Sequence, residues 1–475
     1  MEPMASSSLL FAKADENPDA VRFIEPELVT VGELAKRVRA VASWMIGRGV
    51  KPGDHVAIWA DNCLEWAISA WAVQATGAAF VTIHAPCSPN QAEFICADAR
   101  TVLLISDTAH NPDADLVLDG ASYAEALGTK PVELPDVAAD DRACLIYTSG
   151  TTGDPKGVVL THRNLWVNGE DWLQMVAPMV RDNATEVHWL PMSHIFGWGA
   201  LCIGTVYGLK TALCGFYDVI ETSQRVQPHF ICGVPLLWDN VPPTALGDRF
   251  ELGLSGAAPL SQTTKKNYAQ AGKRLLEGYG LTETSPTLTL EHPDQLERDT
   301  VGRPYPSVQI AIAADGEVLA KGPSVFSGYW NRQDQPFTQD GWFKTGDLGT
   351  LENGALKLIG RKKELIVLTG GKKVAPAPIE AMFPIGSGRL VLVGDNRKHV
   401  GAIVFSADSA DTAAQIESIN CQVSRYERIR SYEVVADLPS VENGLLTPSL
   451  KLKRHVLADR YRSVIDTLCG PGGQA

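Results

Sequence analysis

The chain reads as an α/β protein in two parts, a large amino-terminal domain of parallel and mixed sheets flanked by helices and a small α/β domain at the carboxyl end. Three observations predict this. Short apolar runs alternate with helical patterns over residues 34–254, the mark of parallel sheets covered on both faces. Those runs end near Gly or Pro, or in Ser/Thr-rich loops, and ligands of such sheets usually lie beyond the carboxyl ends of strands. A fresh alternation begins after a basic joint, Arg361, Lys362 and Lys363.

The elements follow in order. Leu34, Val38, Val41 and Met45 recur at helical spacing, and Gly47 and Gly49 close that helix. Residues 56–59, 79–83 and 102–105 read as buried strands, with a helix over 63–75 stopped by Gly77. Further strands are expected at 186–190, 211–214, 229–232 and 251–254, with a helix of apolar and small residues at 196–207. Residues 316–319 and 355–359 suggest antiparallel structure. The small domain should hold strands at 364–368, 389–393, 402–405 and 432–435. The division expected is 1–359, a hinge at 360–363, and 364–475.

At 475 residues the chain exceeds one ordinary domain, and 45% hydrophobic content suffices for substantial cores. A net charge of −13 argues against general nucleic-acid affinity, so an anionic ligand must be held by local cations. The nine cysteines are scattered without a Cys-x-x-Cys pair, which reads as reduced thiols and a cytoplasmic location. No secretory leader is expected from the first residues, and no apolar run reaches the ~18 residues of a membrane span.

The segment YTSGTTGDPKG, residues 147–157, carries the strongest chemical signal. Thr148, Ser149, Thr151 and Thr152 supply hydroxyls, Lys156 a cation, and Gly150 and its fellow glycines let backbone N–H groups face an anion. It is not the common P-loop, which ends in Gly-Lys-Ser/Thr and opens a helix, because Gly157 follows Lys156. Other segments share its character: LPMSHIFGW around His194, SGAAP at 255–259, EGYGLTE at 277–283, KTGD at 344–347, and NGLLTPSLKLKR at 443–454.

Together, in this order and spacing, these motifs resemble the adenylate-forming superfamily of acyl-CoA synthetases, peptide-synthetase adenylation domains and beetle luciferases. The resemblance spans about residues 30–460. Its carboxyl-terminal pieces, at 370–380 and 447–454, look most like long-chain fatty acyl-CoA synthetases, although only 19 residues separate Pro235 from Ser255, where those enzymes carry a longer insertion. The resemblance implies the superfamily's fold, with a small β-barrel-like part in the large domain and a mobile small domain. It implies a ligase that joins a carboxylic acid to ATP as an acyl-AMP, with Mg2+, and passes the acyl group to coenzyme A. A carrier-protein phosphopantetheine or an amine is the alternative acceptor, and an aryl acid the alternative substrate. Oligomeric state stays open.

The resemblance also assigns roles. Thr148, Ser149, Gly150, Thr151, Thr152 and Lys156 would cradle the β- and γ-phosphates. Glu283 would hold Mg2+ and Thr282 would touch the α-phosphate. Gly256, Ala257 and Ala258, with Tyr279, would frame the adenine, Tyr279 stacking on it, and Glu277, Gly278 and Gly280 would count among the cofactor-binding residues. Asp347 would accept the ribose hydroxyls, with Arg361 beside it. His194 would border the acyl pocket, and the glycines flanking Trp198 would leave it room. Lys451 would bridge the α-phosphate and the substrate carboxylate, with Lys453 the competing assignment. Lys363 would be the hinge, and Gly370 would lie in the loop that meets the pantetheine arm.

Overall fold

The computed structural model describes residues 2–148, 155–292, 299–333, 335–383, 388–406, 410–440, 443–446 and 452–470. Two large sheets dominate. The first has six strands in the order Leu116–Val117, Leu103–Ser106, His55–Trp59, Ala79–Ile83, Arg142–Thr148 and Lys156–Thr161, all parallel except the last. Every residue of His55–Trp59 and Ala79–Ile83 is buried, as expected of strands covered on both faces.

The second sheet has nine strands. Six parallel strands form its body: Val21–Glu25, Lys210–Leu213, Thr185–His188, Phe230–Gly233, Leu252–Ser255 and Arg274–Tyr279. Val29–Thr30 adds antiparallel at one edge, and Thr289–Leu290 and Arg303–Pro304 at the other. The helix Ile195–Tyr207 links the sheets through its Trp198. That ring lies 5.1 Å from Phe80 and 5.3 Å from Trp71, and all three side chains are fully buried. Aromatic packing at this range adds to the area buried.

A four-stranded antiparallel sheet, Gln309–Ile312, Glu317–Lys321, Phe343–Glu352 and Ala355–Arg361, forms the small β part. Leu356 exchanges backbone hydrogen bonds with Val301 and Gly302, which ties this sheet to the larger one. Beyond it, Arg389–Val393, Val400–Phe405 and Ile429–Val435 make a separate sheet. The hydrophobic core divides in the same way: one cluster runs from Leu10 to Leu356 with a smaller one between Ala57 and Tyr147, and others begin at Ile366 and Val391. Among the described residues no helix is long and apolar enough to cross a membrane.

Two segments depart from expectation. The strand expected at 364–368 is a single tight turn, Lys362–Glu364, followed by the two-residue strand Ile366–Val367 paired with Lys373–Val374. The Glu364 carboxylate lies 3.5 Å from Arg454, so the turn is fixed from outside its own strand. The strand Val21–Glu25 escapes notice in the sequence because Arg22 sits in its middle. Fully buried, Arg22 donates to Thr205 at 2.9 Å and to the carbonyls of Leu201 and Leu209, which satisfies its donors.

Candidate active site

A cleft of about 3270 Å³ runs past the strand ends of the second sheet, along the small β part and up to the carboxyl-terminal segment. Its first wall comes from the hairpin around the Gly/Thr-rich loop. Thr148 closes one strand and Lys156 opens the next, directly opposite each other in antiparallel register. The Gly/Thr-rich segment is thus followed by a strand, where a P-loop is followed by a helix. Ser149, Gly150, Thr151 and Thr152 lie outside the described residues. Lys156 is exposed, and its ammonium stands 5.3 Å from the Tyr329 ring centroid, within cation–π range.

Tyr329 links that lysine to Glu283. Its hydroxyl donates to Glu283 Oε1 at 2.6 Å, which leaves the second carboxylate oxygen for another partner. Glu283 sits in the short turn Thr282–Thr284, whose backbone is held by Phe326 N–H donating to the Glu283 carbonyl. Thr282 is buried at the cleft wall. Tyr329 gave no motif in the sequence. It is placed by strand-like pairing of the segment 328–330 with the strand Lys156–Thr161, where Trp330 N–H donates to the Gly157 carbonyl at 2.8 Å.

Asp347 and Arg361 face each other across neighbouring antiparallel strands. The Asp347 carboxylate is buried. Oδ1 lies 3.0 Å from Arg361 Nε, and Oδ2 accepts from the Tyr279 hydroxyl at 2.8 Å. Burial alone would lower the Arg361 pKa, but Asp347, Glu364, Tyr279 and Glu283 outweigh it and raise it. Arg361 thus senses both carboxylates, Asp347 and Glu283. Tyr279 is almost wholly buried and its hydroxyl orients Asp347, a role the sequence reading of a stacking ring did not include.

The loop after Leu252–Ser255 brings Gly256, Ala257 and Ala258 to the cleft, with Ala257 at φ 71°, a strained value for a residue bearing a Cβ. A Cβ on Gly280 would lie 1.8 Å from the Pro286 carbonyl oxygen, so only glycine fits there. Gly278 is milder, its Cβ meeting Leu290 at 3.2 Å. Glu277 lines the cleft with its carboxylate already paired. Its carboxylate is taken up by Lys265 at 2.8 Å and by the Leu260 N–H at 3.0 Å, and Lys265 also holds Glu291 at 2.8 Å. Glu277 therefore anchors the strand end from behind.

His194 caps the helix Ile195–Tyr207, its Nδ1 accepting from the Phe196 N–H, and its ring stacks on His84 with centroids 6.2 Å apart. His84, unnoticed in the sequence, is joined to Ser193 Oγ at 2.9 Å. Gly197 does not leave room for a ligand. A Cβ there would fall 2.2 Å from the Pro191 carbonyl oxygen, so this glycine lets the helix pack on the preceding segment. Gly199 does face the cleft.

At the joint, Lys362 holds Asp315 at 2.5 Å and Glu317 at 3.0 Å, while Arg454 holds Glu364 and Glu380 on the other side. Lys363 lies exposed between these anchors. Lys451 lies outside the described residues. Lys453 lines the cleft and its N–H donates to the Leu445 carbonyl. Gly370 is exposed in the turn between Ile366–Val367 and Lys373–Val374, away from the cleft lining.

The arrangement suits a nucleotide: a buried carboxylate at Asp347, a second at Glu283 with one oxygen held by Tyr329, and cations on both sides. The AMP-binding enzyme model matches residues 10–330, and the AMP-binding enzyme C-terminal domain model matches residues 363–469. The chain belongs to the AMP-binding enzyme family. Among its relatives is the long-chain-fatty-acid–CoA ligase FadD15 of Mycobacterium bovis, 30% identical over 97% of this chain and 96% of that protein. Feruloyl-CoA synthase of an Amycolatopsis species is 28% identical over 88% of this chain and 92% of its own length. The Bacillus subtilis O-succinylbenzoate coenzyme A synthetase structure in complex with AMP superimposes with a TM-score of 0.83, at 25% identity, covering 94% of this chain and 97% of that one.

Proposed function

We propose that this protein is an ATP-dependent carboxylic acid–CoA ligase. It joins a carboxylate oxygen to the α-phosphorus of ATP with release of pyrophosphate, then passes the acyl group to the thiol of CoA with release of AMP. The observation that carries the reading is the pairing of Asp347 and Glu283 in one cleft, with Arg361 coupled to both.

In this reading Asp347 accepts the ribose hydroxyls. Tyr279 donates to one of its oxygens and Arg361 stands beside the other, which fixes the carboxylate at the cleft wall facing the proposed ribose. Gly256, Ala257 and Ala258 lie along the base. Lys156 and the loop through residue 152 hold the β- and γ-phosphates, and Thr282 touches the α-phosphate. Glu283 fits Mg2+, a hard cation, because Tyr329 engages only one of its oxygens. When bound, Mg2+ neutralises charge on the phosphates. The reaction brings an anion to a polyanion, so positioned cations matter more than a strong base. Lys451 is the ammonium we assign to the transition state. Residues 360–363 act as the hinge on which the small domain turns, and Gly370 lies in the loop that then meets the pantetheine arm.

A fatty acid is the substrate favoured by the near full-length similarity to FadD15. Similarity to feruloyl-CoA synthase supports an aryl acid as the second reading. A cytoplasmic setting agrees with nine unpaired cysteines.

The test is mass spectrometry of the products formed from ATP, Mg2+, CoA and a panel of fatty, aryl and short acids. Acyl-CoA with AMP is expected. ADP as the nucleotide product, or an acyl-AMP that persists in excess CoA, would overturn the ligase reading. Lys451→Ala should abolish pyrophosphate release yet spare thioester formation from supplied acyl-AMP. Equal loss of both half-reactions would move the role elsewhere, Lys453 being the next residue to substitute.

A further inference from the structure

Behind the helix that carries His194 lies a second, mostly apolar cavity of about 80 Å³. Its walls include Leu9, Trp71, Leu165, Leu173 and Trp198. Three residues, Asn168, Gly199 and Ile203, line both this cavity and the main cleft, so one thin layer of side chains divides the two. Gly199 and Ile203 are four residues apart on the helix Ile195–Tyr207 and share a face. Ile203 lies nine residues beyond His194, roughly 13 Å along the axis at the ~1.5 Å rise of a helix. Opposite it, on His162–Met175, the residues Leu165, Gly169 and Leu173 repeat every fourth position and line the cavity. A Cβ on Gly169 would meet Ile203 Cγ1 at 3.8 Å, an ordinary contact. Gly169 therefore holds empty space directly against Ile203. The titratable ring on this wall, His162, is pushed by burial to a pKa of about 4 and is neutral at physiological pH.

We infer that Ile203 is the chain-length stop of the acyl site, and that the cavity behind it is a ready-made extension for the hydrocarbon tail. This rests on the fatty-acid reading of the cleft. The Ile203 side chain stands between the two spaces, with Gly199 on the same helix face beside it. Removing the branched side chain joins the two spaces. At roughly 30 Å³ per small group, the added volume takes about two or three methylenes. Each buried methylene raises transition-state binding about fourfold when it reaches apolar surroundings.

The experiment measures kcat/KM for pyrophosphate release over straight-chain acids from hexanoate to stearate. Ile203→Ala should move the longest efficiently used acid up by about two or three carbons, with about fourfold gain per added methylene. Ile203→Val should move it by about one carbon and covers the case in which the alanine variant folds poorly. The double variant Ile203→Ala, Gly169→Leu refills the cavity from the facing helix and should return the profile toward wild type. An active Ile203→Ala or Ile203→Val enzyme with the wild-type profile overturns the inference. So does a double variant that keeps the longer preference. If the wild-type enzyme turns over aryl acids and no fatty acid, the inference falls while the ligase reading stands. If no acid supports pyrophosphate release, both fall.

Discussion

The two ends of the cleft are built from opposite materials. The nucleotide end is held by charges and tyrosine hydroxyls: Tyr279 on Asp347, Tyr329 on Glu283, and Arg361 responding to both carboxylates. The end we assign to the acyl group is defined by shape: Gly199 and Ile203 line both the cleft and the cavity behind it, and Gly169 lines that cavity. At the first end one atom decides function, because a charged group without its partner is costly. At the second, volume decides, and substitutions change preference more than rate.

Substitutions should separate the two ends. Asp347→Ala removes the ribose acceptor and leaves Arg361 without its partner. On the proposed ribose role, it should lower kcat/KM for ATP by roughly a thousandfold, about 4 kcal/mol, whichever acid is used. A loss that varied with acid length would break the contrast. Lys265→Met tests the support behind the nucleotide end. It leaves Glu277 and Glu291 buried without their cation and should destabilise the fold by about 3 kcal/mol, read as a lowered denaturant midpoint. Tyr329→Phe keeps the ring against Lys156 but frees Glu283. We expect about a tenfold fall in kcat/KM, with the Mg2+ dependence shifted to higher concentration. A fall without any change in Mg2+ dependence would separate Tyr329 from the metal.

The smallest effect lies at the acyl end. Buried His162 has its pKa lowered to about 4 from 6.5. Above pH 6.5 both folded and unfolded states hold it neutral. As pH falls below 6.5 the unfolded chain takes up a proton that the folded chain refuses, so stability is lost toward acid. From pH 7 to pH 5.5 this residue alone should cost about 1 kcal/mol. His162→Phe should flatten that part of the stability-against-pH curve, and an unchanged slope would show that the ring is hydrated.

Much of the fold was legible because parallel strands leave short apolar runs. The expected strand at 79–83 and the observed Ala79–Ile83 coincide, and the helix at 196–207 differs from Ile195–Tyr207 by one residue. The strand Val21–Glu25 was hidden because Arg22 is satisfied only by groups distant in sequence. The motifs that carry Asp347 and Glu283 were visible because each is a fixed pattern of residue types, and the structure brings both carboxylates to one cleft. Tyr329 and His84 were not, since a lone tyrosine or histidine acquires a partner only through tertiary pairing. The pairing of Glu277 and the packing role of Gly197 were hidden for the same reason. Lys265 and the Pro191 carbonyl, which explain them, lie 12 and six residues away in sequence.

The central claim is that this cleft makes an acyl adenylate, and acid-dependent ATP–pyrophosphate exchange tests it most directly. Labelled pyrophosphate should enter ATP only when a fatty or aryl acid is present, and Asp347→Ala should reduce that exchange roughly a thousandfold. Exchange without any acid, or exchange that survives Asp347→Ala at the wild-type rate, would contradict it.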